Sequence, residues 1–336
     1  MKTALVVGSS GQDGTLLTAQ LAAADWRVVG VSRAAVTETG VPEAGLAARK
    51  PSVDLLNSTR TRDFLNEVRP DAVYYLAAFH HSSDEMLSEE APALLKRSLE
   101  VHVEGFANVL EGVTRAAPRA RVFYAASSHV FGAPSADTQD ELTPFAPTSI
   151  YGISKAAGVE VARFYRSRGL HVSSGLLYNH ESPLRPIKFV SQRIVSGAVE
   201  AARAAKRKQS FTLELGDLAA RVDWGWAPDF TDAMQRIVHH DSADDYVVAT
   251  GQAHTIEEFC RLAFAAVELD ADDYVVERKG RLTRAAATLA GNASRLRTRT
   301  GWSPSVTFAE MVNLLVAARL RQERGTHEES ARAKAP

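Results

Sequence analysis

Short apolar runs alternate with longer amphipathic stretches through the first half of the chain. TALVV (3–7), RVVGV (27–31), AVYYL (72–76), RVFYAA (121–126) and HVSSGLLY (171–178) read as strands. Between them the spacing predicts helices near 12–24, 58–69, 88–116 and 149–168. Strands separated by helices imply βαβ units, hence a parallel sheet with helices on both faces. ALVVG and AVYYLAA are apolar almost throughout, as strands covered on both sides must be. The expected fold class is α/β, a Rossmann-type doubly wound parallel sheet with a smaller α/β substrate-binding domain.

The second half is less regular. Residues 187–208 read as one amphipathic helix, whose basic end at Arg203–Lys208 suits the negative end of a helix dipole. A strand near 211–215, a helix at 230–239, a strand at 245–249 and helices at 255–267 and 307–321 follow. The expected division is a dinucleotide domain at 1–178 that regains segments near 228–255. A substrate domain would take 179–227 and 256–325. The charged, Ala-rich chain from Arg321 is expected to fray, leaving 326–336 as a flexible tail.

Composition narrows the classes. The chain has 336 residues, 45% hydrophobic and 24% charged, enough for a sizeable core. Its 39 Lys and Arg against 40 Asp and Glu leave a net charge of −1, which argues against nucleic-acid or membrane-surface partners held by bulk charge. Cys260 is the only cysteine, so no intramolecular disulfide forms, and a cytoplasmic setting is expected. No apolar run approaches the length of a signal core or a membrane span.

The strongest local signal is VVGSSGQDG, with Gly8, Gly11 and Gly14 placed directly after a strand and opening a helix. Glycines let the backbone turn tightly and approach a pyrophosphate held by N–H groups at the helix N-terminus. A site selective for NAD usually ends its second strand in a carboxylate. Here VGVSRAA offers Ser32 and Arg33 instead, so NADP is expected over NAD, with Arg33 facing the 2′-phosphate. Asp54 is placed either to accept from the adenine amino group or to cap the helix near Ser58. SIYGISK puts Tyr151 and Lys155 one helical turn apart, and an ammonium there stabilises the phenolate. Ser127 and Ser128 end the strand RVFYAASS, 24 residues upstream in the case of Ser127.

These motifs together resemble the extended short-chain dehydrogenase/reductases that act on nucleotide sugars, the NAD-dependent epimerase/dehydratase family. Within it the chain is most similar to the GDP-mannose 4,6-dehydratases, through GSSGQDG, YNHESP (178–183), LGDLAARVDWG (215–225), VVATGQAHTIEEF (247–259) and GWSP (301–304). The resemblance implies that Tyr151 takes a proton from the sugar C4 hydroxyl while NADP takes hydride. Ser127 would hold the oxygen and Lys155 would tune Tyr151. Water would then leave across C5 and C6, and the bound NADPH would reduce the product to a 4-keto-6-deoxy sugar. It further implies cofactor contacts at Gln12, Asp13, Leu55, Leu76, Ala77, Ala78, Tyr178 and His180. Substrate contacts would fall at His81, Ser128, Asn179, Val190, Ser191, Arg193 and Arg221.

The chain departs from the family pattern in four ways. His129 stands where the family has the glutamate that removes the C5 proton; Asp84, Glu85 and Glu181 are alternative bases. Val222 replaces an arginine before Asp-Trp-Gly, and the adjacent Arg221 points to the other face of a regular strand. The late Arg-Pro-x-Glu segment reads GRLTRAAAT, keeping Arg281 and Arg284. The loop after the second strand is short, which implies a homodimer where the family forms tetramers. Loss of the glutamate leaves a 4-epimerase or ketoreductase as an alternative to dehydration, and a non-catalytic cofactor-binding regulator as a third reading. His80, His81, His129 and His180 follow strand ends and read as substrate or proton-transfer groups, structural donors, or metal ligands. No metal is expected, because no carboxylate or thiol spacing supports one.

Overall fold

The computed structural model describes residues 1–39, 52–79, 90–134, 136–278 and 290–332, by backbone alone from 324 onward. They form two compact units. The first comprises Met1–Tyr178, Ala227–Gly251 and Leu289–Ser303. Its parallel strands are β1 (Thr3–Val7), β2 (Arg27–Val31), β4 (Ala72–Tyr75), β5 (Arg121–Ala125), β7 (Val172–Leu177) and β11 (Asp245–Val248). With β3 (Val36–Thr39) they make a seven-stranded sheet ordered β11-β7-β5-β4-β1-β2-β3. The order reverses beside β1, which pairs β2 on one side and β4 on the other; open α/β sheets bind ligands at such a point.

The apolar runs became these strands because both faces are covered: every residue of β1, β4 and β7 is buried. The helices α1 (Gln12–Ala23), α2 (Ser58–Val68), α5 (Ile150–Ser167) and α7 (Ala227–His239) fall close to the predicted spans. β3 was not predicted. It runs antiparallel to β2 at the sheet edge, where only Val36 is buried. The Ser32 hydroxyl folds the chain back, accepting from the N–H groups of Ala34 (3.3 Å) and Ala35 (3.2 Å).

The single helix expected over 88–116 is interrupted. α3 (Ala91–Leu99) and α4 (Gly105–Ala116) are joined by a π-helical turn, Glu100–Glu104. The widened turn presents main-chain carbonyls to two buried phenols. Tyr75 Oη donates to Val101 O at 2.6 Å and Tyr124 Oη to His102 O at 3.1 Å. Insertions of this kind often accompany function.

Residues 289–303, which the sequence places with the second region, belong to the first unit instead. β14 (Ala290–Gly291) pairs β6 (Thr138–Gln139), and α9 (Ser294–Thr300) sinks Leu296 into the core. Trp302 Nε1 donates to Asp229 O at 2.9 Å, and Arg299 reaches Asp244 at 2.9 Å. Burying an indole and closing that ion pair fixes the segment there.

The second unit comprises Asn179–Trp226, Gln252–Thr288 and Pro304–Pro336. It has a three-stranded sheet of β8 (Asn179–Glu181), β10 (Arg221–Trp226) and β12 (Ala253–Thr255), and the pair β9 (Leu213–Leu215) and β13 (Val275–Glu277). Helices α6 (Val190–Lys206), α8 (Ile256–Ala265) and α10 (Phe308–Arg332) close a core around Ile194, Trp224, Phe259 and Leu315. A capping box of Thr255 and Glu258 starts α8. α10 continues past Arg321, where the sequence led to an expectation of fraying, as far as Arg332; its Arg- and Glu-rich sequence favours helix. No helix among the described residues is long and apolar enough to cross a membrane.

Candidate functional site

The glycine turn is built by close backbone approach. Gly8 and Ser9 donate their N–H groups to Val31 O at 2.8 and 3.1 Å. Gly8 has φ +94°, and a Cβ there would lie 2.7 Å from Ala77 N. The turn thus rests on the chain leaving β4, at Leu76 and Ala77. At Gly14 a Cβ would collide with Gly8 O and Ser9 Cα. Gly11 caps α1 without a side-chain bond, and the N-terminus of a helix is a place suited to an anion. Gln12 Nε2 donates to Asp13 at 3.1 Å. Gly30 went unnoticed in sequence, yet a Cβ there would lie 2.8 Å from Ser9 Cβ. Only a glycine inside a strand could have signalled it.

Arg33 lies exposed just beyond β2, with no hydrogen bond or ion pair among the described residues. Asp54 is also exposed and accepts from Leu56 N at 3.1 Å. It does not cap α2; Asn57 does, accepting from Arg60 N at 3.0 Å. Leu55 is half-buried, and its carbonyl accepts from Asn108 at 2.9 Å. Leu76 and Ala77 are half-buried and Ala78 exposed.

Ser127, His129, Tyr151 and Lys155 come together past the carboxyl end of β5. Ser127 is 8% exposed and opens a 3₁₀ turn, Ser128–Phe131, where its Oγ accepts from His129 N at 3.3 Å. Ser128 is buried beside it. Ser149 caps α5 by accepting from Gly152 N, which places Tyr151 in the first turn. The positive end of a helix dipole there favours a phenolate. Gly152 permits the approach: a Cβ would lie 2.5 Å from His129 O. The His129 ring meets Tyr151 edge-on at 5.6 Å.

Lys155 is 1% exposed and donates to Ala125 O at 2.7 Å. Its Nζ stands 5.2 Å from the Tyr124 ring centroid and 5.7 Å from that of Tyr151. Burial pushes the ammonium down from 10.5 to about 7, and the Asp13 carboxylate offsets part of that. A lysine poised near neutrality beside a phenol is suited to acid–base work. The Asp13 carboxylate, in the first turn of α1, thus acts on the Lys155 ammonium.

Sequence reasoning missed His102 and Ser154. His102 is fully buried on the π turn, and its ring meets Tyr151 edge-on at 5.4 Å. Its Nδ1 lies 2.8 Å from Ser154 Oγ, and its Nε2 accepts from Phe79 N at 3.0 Å. A histidine in mid-helix carries no signal of this, because the π turn that rotates it inward has no sequence mark.

The remaining sequence candidates divide. Tyr178 follows β7 as the last residue of the first unit's opening segment, and its hydroxyl donates to Gln139 at 2.9 Å. His180, Asn179, Val190, Ser191, Arg193 and Arg221 belong to the second unit. There Ser191 donates to the buried Glu181 at 2.7 Å, and Arg185 approaches the same carboxylate at 3.6 Å. Arg193 donates to Glu214 O at 2.9 Å and Arg221 to Ala253 O at 2.7 Å. Trp224 packs between Phe259 and Phe308, as a core residue. His80, His81, Asp84, Glu85, Arg281 and Arg284 lie outside the described residues. Among the described residues there is no group of three or more His, Cys, Asp or Glu placed to hold a metal.

The family model described as GDP-mannose 4,6 dehydratase matches residues 5–315. A GDP-mannose 4,6 dehydratase 2 of Arabidopsis thaliana is 33% identical, over 94% of this chain and 86% of its own length. Among solved structures, dTDP-glucose 4,6-dehydratase from Bacillus anthracis in complex with NAD superposes with a TM-score of 0.79 at 17% identity, covering 96% of this chain and 98% of that one. RMD from Pseudomonas aeruginosa, complexed with NADPH, gives a TM-score of 0.75 at 25% identity, over 95% and 99%.

Proposed function

We propose that this chain, which belongs to the GDP-mannose 4,6-dehydratase family, uses NADP to oxidise a nucleotide sugar at C4 and then eliminates water. The carrying observation is the convergence, in one unit, of the glycine turn with Ser127, Tyr151 and a buried Lys155. The tight turn at Gly8 and Gly14, where a Cβ would collide with backbone, leads directly into the N-terminus of α1, an arrangement that fits a pyrophosphate. The nicotinamide supplies, when bound, a reversible hydride acceptor. Arg33, exposed where an NAD-selective site carries a carboxylate, supports NADP, and RMD is a relative complexed with NADPH.

In this reading the Tyr151 phenolate takes the C4 hydroxyl proton, while Ser127 Oγ holds that oxygen. Lys155, half-charged near pH 7, stabilises the phenolate and orients the cofactor ribose. The C4 ketone acidifies the proton at C5. His129 stands on the Tyr151 side of the site and serves as the base for it. Loss of the C6 hydroxyl as water and return of hydride leave a 4-keto-6-deoxy sugar, with no net redox change. Asn179, Ser191, Arg193 and Arg221 would recognise the nucleotide and diphosphate. We also read the protein as a homodimer, supported by Ile153 and Phe164, 44% and 51% exposed on one face of α5.

A 4-epimerase is the second reading, favoured by the imidazole of His129 where the family carries a carboxylate. Incubation with NADP and GDP-mannose, followed by product mass, decides between them. Loss of one water supports dehydration, and isomerisation at constant mass supports the epimerase. If GDP-mannose and other nucleotide sugars are all returned unchanged, the proposal fails. His129→Ala is expected to stop solvent-deuterium incorporation at C5 while sparing oxidation at C4.

A further inference from the structure

We propose that His102 is a positioning residue that couples the segment after β4 to the catalytic face of α5. The inference rests on the reading above, in which Tyr151 is the acid–base group and residues 76–78 contact the cofactor. Three bonds define it. Phe79 N–H has only a proton to give, so the Nε2 it meets at 3.0 Å must carry the lone pair. The ring is then neutral with its proton on Nδ1, which donates to Ser154 Oγ at 2.8 Å. The Ser154 hydroxyl in turn donates to Tyr151 O at 3.0 Å. The three bonds run in one direction, from Phe79 N–H through the imidazole and the Ser154 hydroxyl to Tyr151 O.

The surroundings hold the imidazole in place. The ring is fully buried and meets the Tyr151 ring edge-on at 5.4 Å and 86°. Its carbonyl, released by the π turn, accepts from Tyr124. A Cβ at Gly158 would lie 2.9 Å from the same carbonyl, so α5 approaches the turn through a glycine. On the other side, the Arg97 guanidinium lies 4.3 Å from the Phe79 ring centroid. Two residues before Phe79, Ala77 lies against the glycine turn at Gly8. One imidazole thus spans the segment that supports the phosphate turn and the helix that carries the phenol. Movement at either end reaches the other through a single rigid ring.

The two nitrogens can be tested separately. A glutamine amide reaches the place of Nε2 and accepts from Phe79 N. An asparagine amide reaches the place of Nδ1 and donates to Ser154. His102→Gln is expected to bind NADP within about twofold of wild type while kcat on GDP-mannose falls about tenfold. His102→Asn is expected to do the reverse, with NADP affinity down about tenfold and kcat within about threefold. Long-range ¹H–¹⁵N spectra of the wild-type holoenzyme should show the His102 proton on Nδ1. A proton on Nε2, or Gln and Asn variants that lose affinity and kcat in equal proportion, overturns the proposal. Wild-type protein that turns over no nucleotide sugar defeats the proposed function, while the tautomer and the NADP affinities still decide the role of His102.

Discussion

Lys155→Met should make the protein more stable and inactive. In the wild type an ammonium sits 1% exposed, with one hydrogen bond to Ala125 O and two aromatic rings within 6 Å. Burial moves it from 10.5 to about 7, a cost to the charged form with a ceiling of about 5 kcal/mol. A methionine fills nearly the same volume with no charge to desolvate, so at pH 6.5 a gain of about 1–3 kcal/mol is expected. For domains of this size that is a rise of several degrees in Tm, at about 2–4 °C per kcal/mol. The sign with pH follows from the depressed value. Between about 7 and 10.5 the unfolded chain holds a proton that the folded chain has released, so wild-type stability climbs through that window. The advantage of the methionine should therefore shrink as pH rises from 7 to 10, while kcat stays down at least about hundredfold at every pH. Thermal melts of both proteins from pH 6 to 10 provide the measurement. A methionine variant less stable than wild type at pH 6.5, or a gap independent of pH, would refute the burial argument.

Further outcomes follow from the same contacts. Gly14→Ala forces Gly8 O aside, so NADP affinity measured by fluorescence titration should fall at least about tenfold with the far-UV spectrum unchanged; wild-type affinity would contradict the pyrophosphate site. Arg33→Asp should move the ratio of NADP to NAD affinities toward NAD, and a constant ratio would remove Arg33 from the 2′-phosphate site. Asp245, 4% exposed, accepts from Arg163 and Arg166, both at 2.7 Å. Because these arginines are partly solvated, Asp245→Ala should cost about 2–3 kcal/mol, lowering Tm without changing NADP affinity.

Legibility in the sequence followed how much a local pattern decides. β1, β4 and β5 are runs of apolar residues that only a sheet buried on both faces could hide, so they were readable almost to the residue. The glycine turn and the Tyr151–Lys155 spacing were readable because both act over a few residues. β3 was hidden, since an edge strand with one buried side chain lacks alternation, and the Ser32 turn that creates it is a side-chain bond. The π turn at Glu100–Glu104 was hidden because helical periodicity does not record one extra residue. With it went His102, whose meaning depends on Phe79 and Ser154, far apart in sequence. The placement of 289–303 depends on Trp302 meeting Asp229 and Arg299 meeting Asp244, contacts that no local window contains.

In the proposed reaction, hydrogen leaves C4 and returns at C6 within one active site. GDP-mannose carrying deuterium at C4, incubated with the protein and unlabelled NADP, tests this directly by NMR of the product. The expected product is a 4-keto-6-deoxy sugar nucleotide with the deuterium at C6. Deuterium retained at C4 in a product of unchanged mass would contradict dehydration, and label lost to free NADPH would contradict a closed cycle.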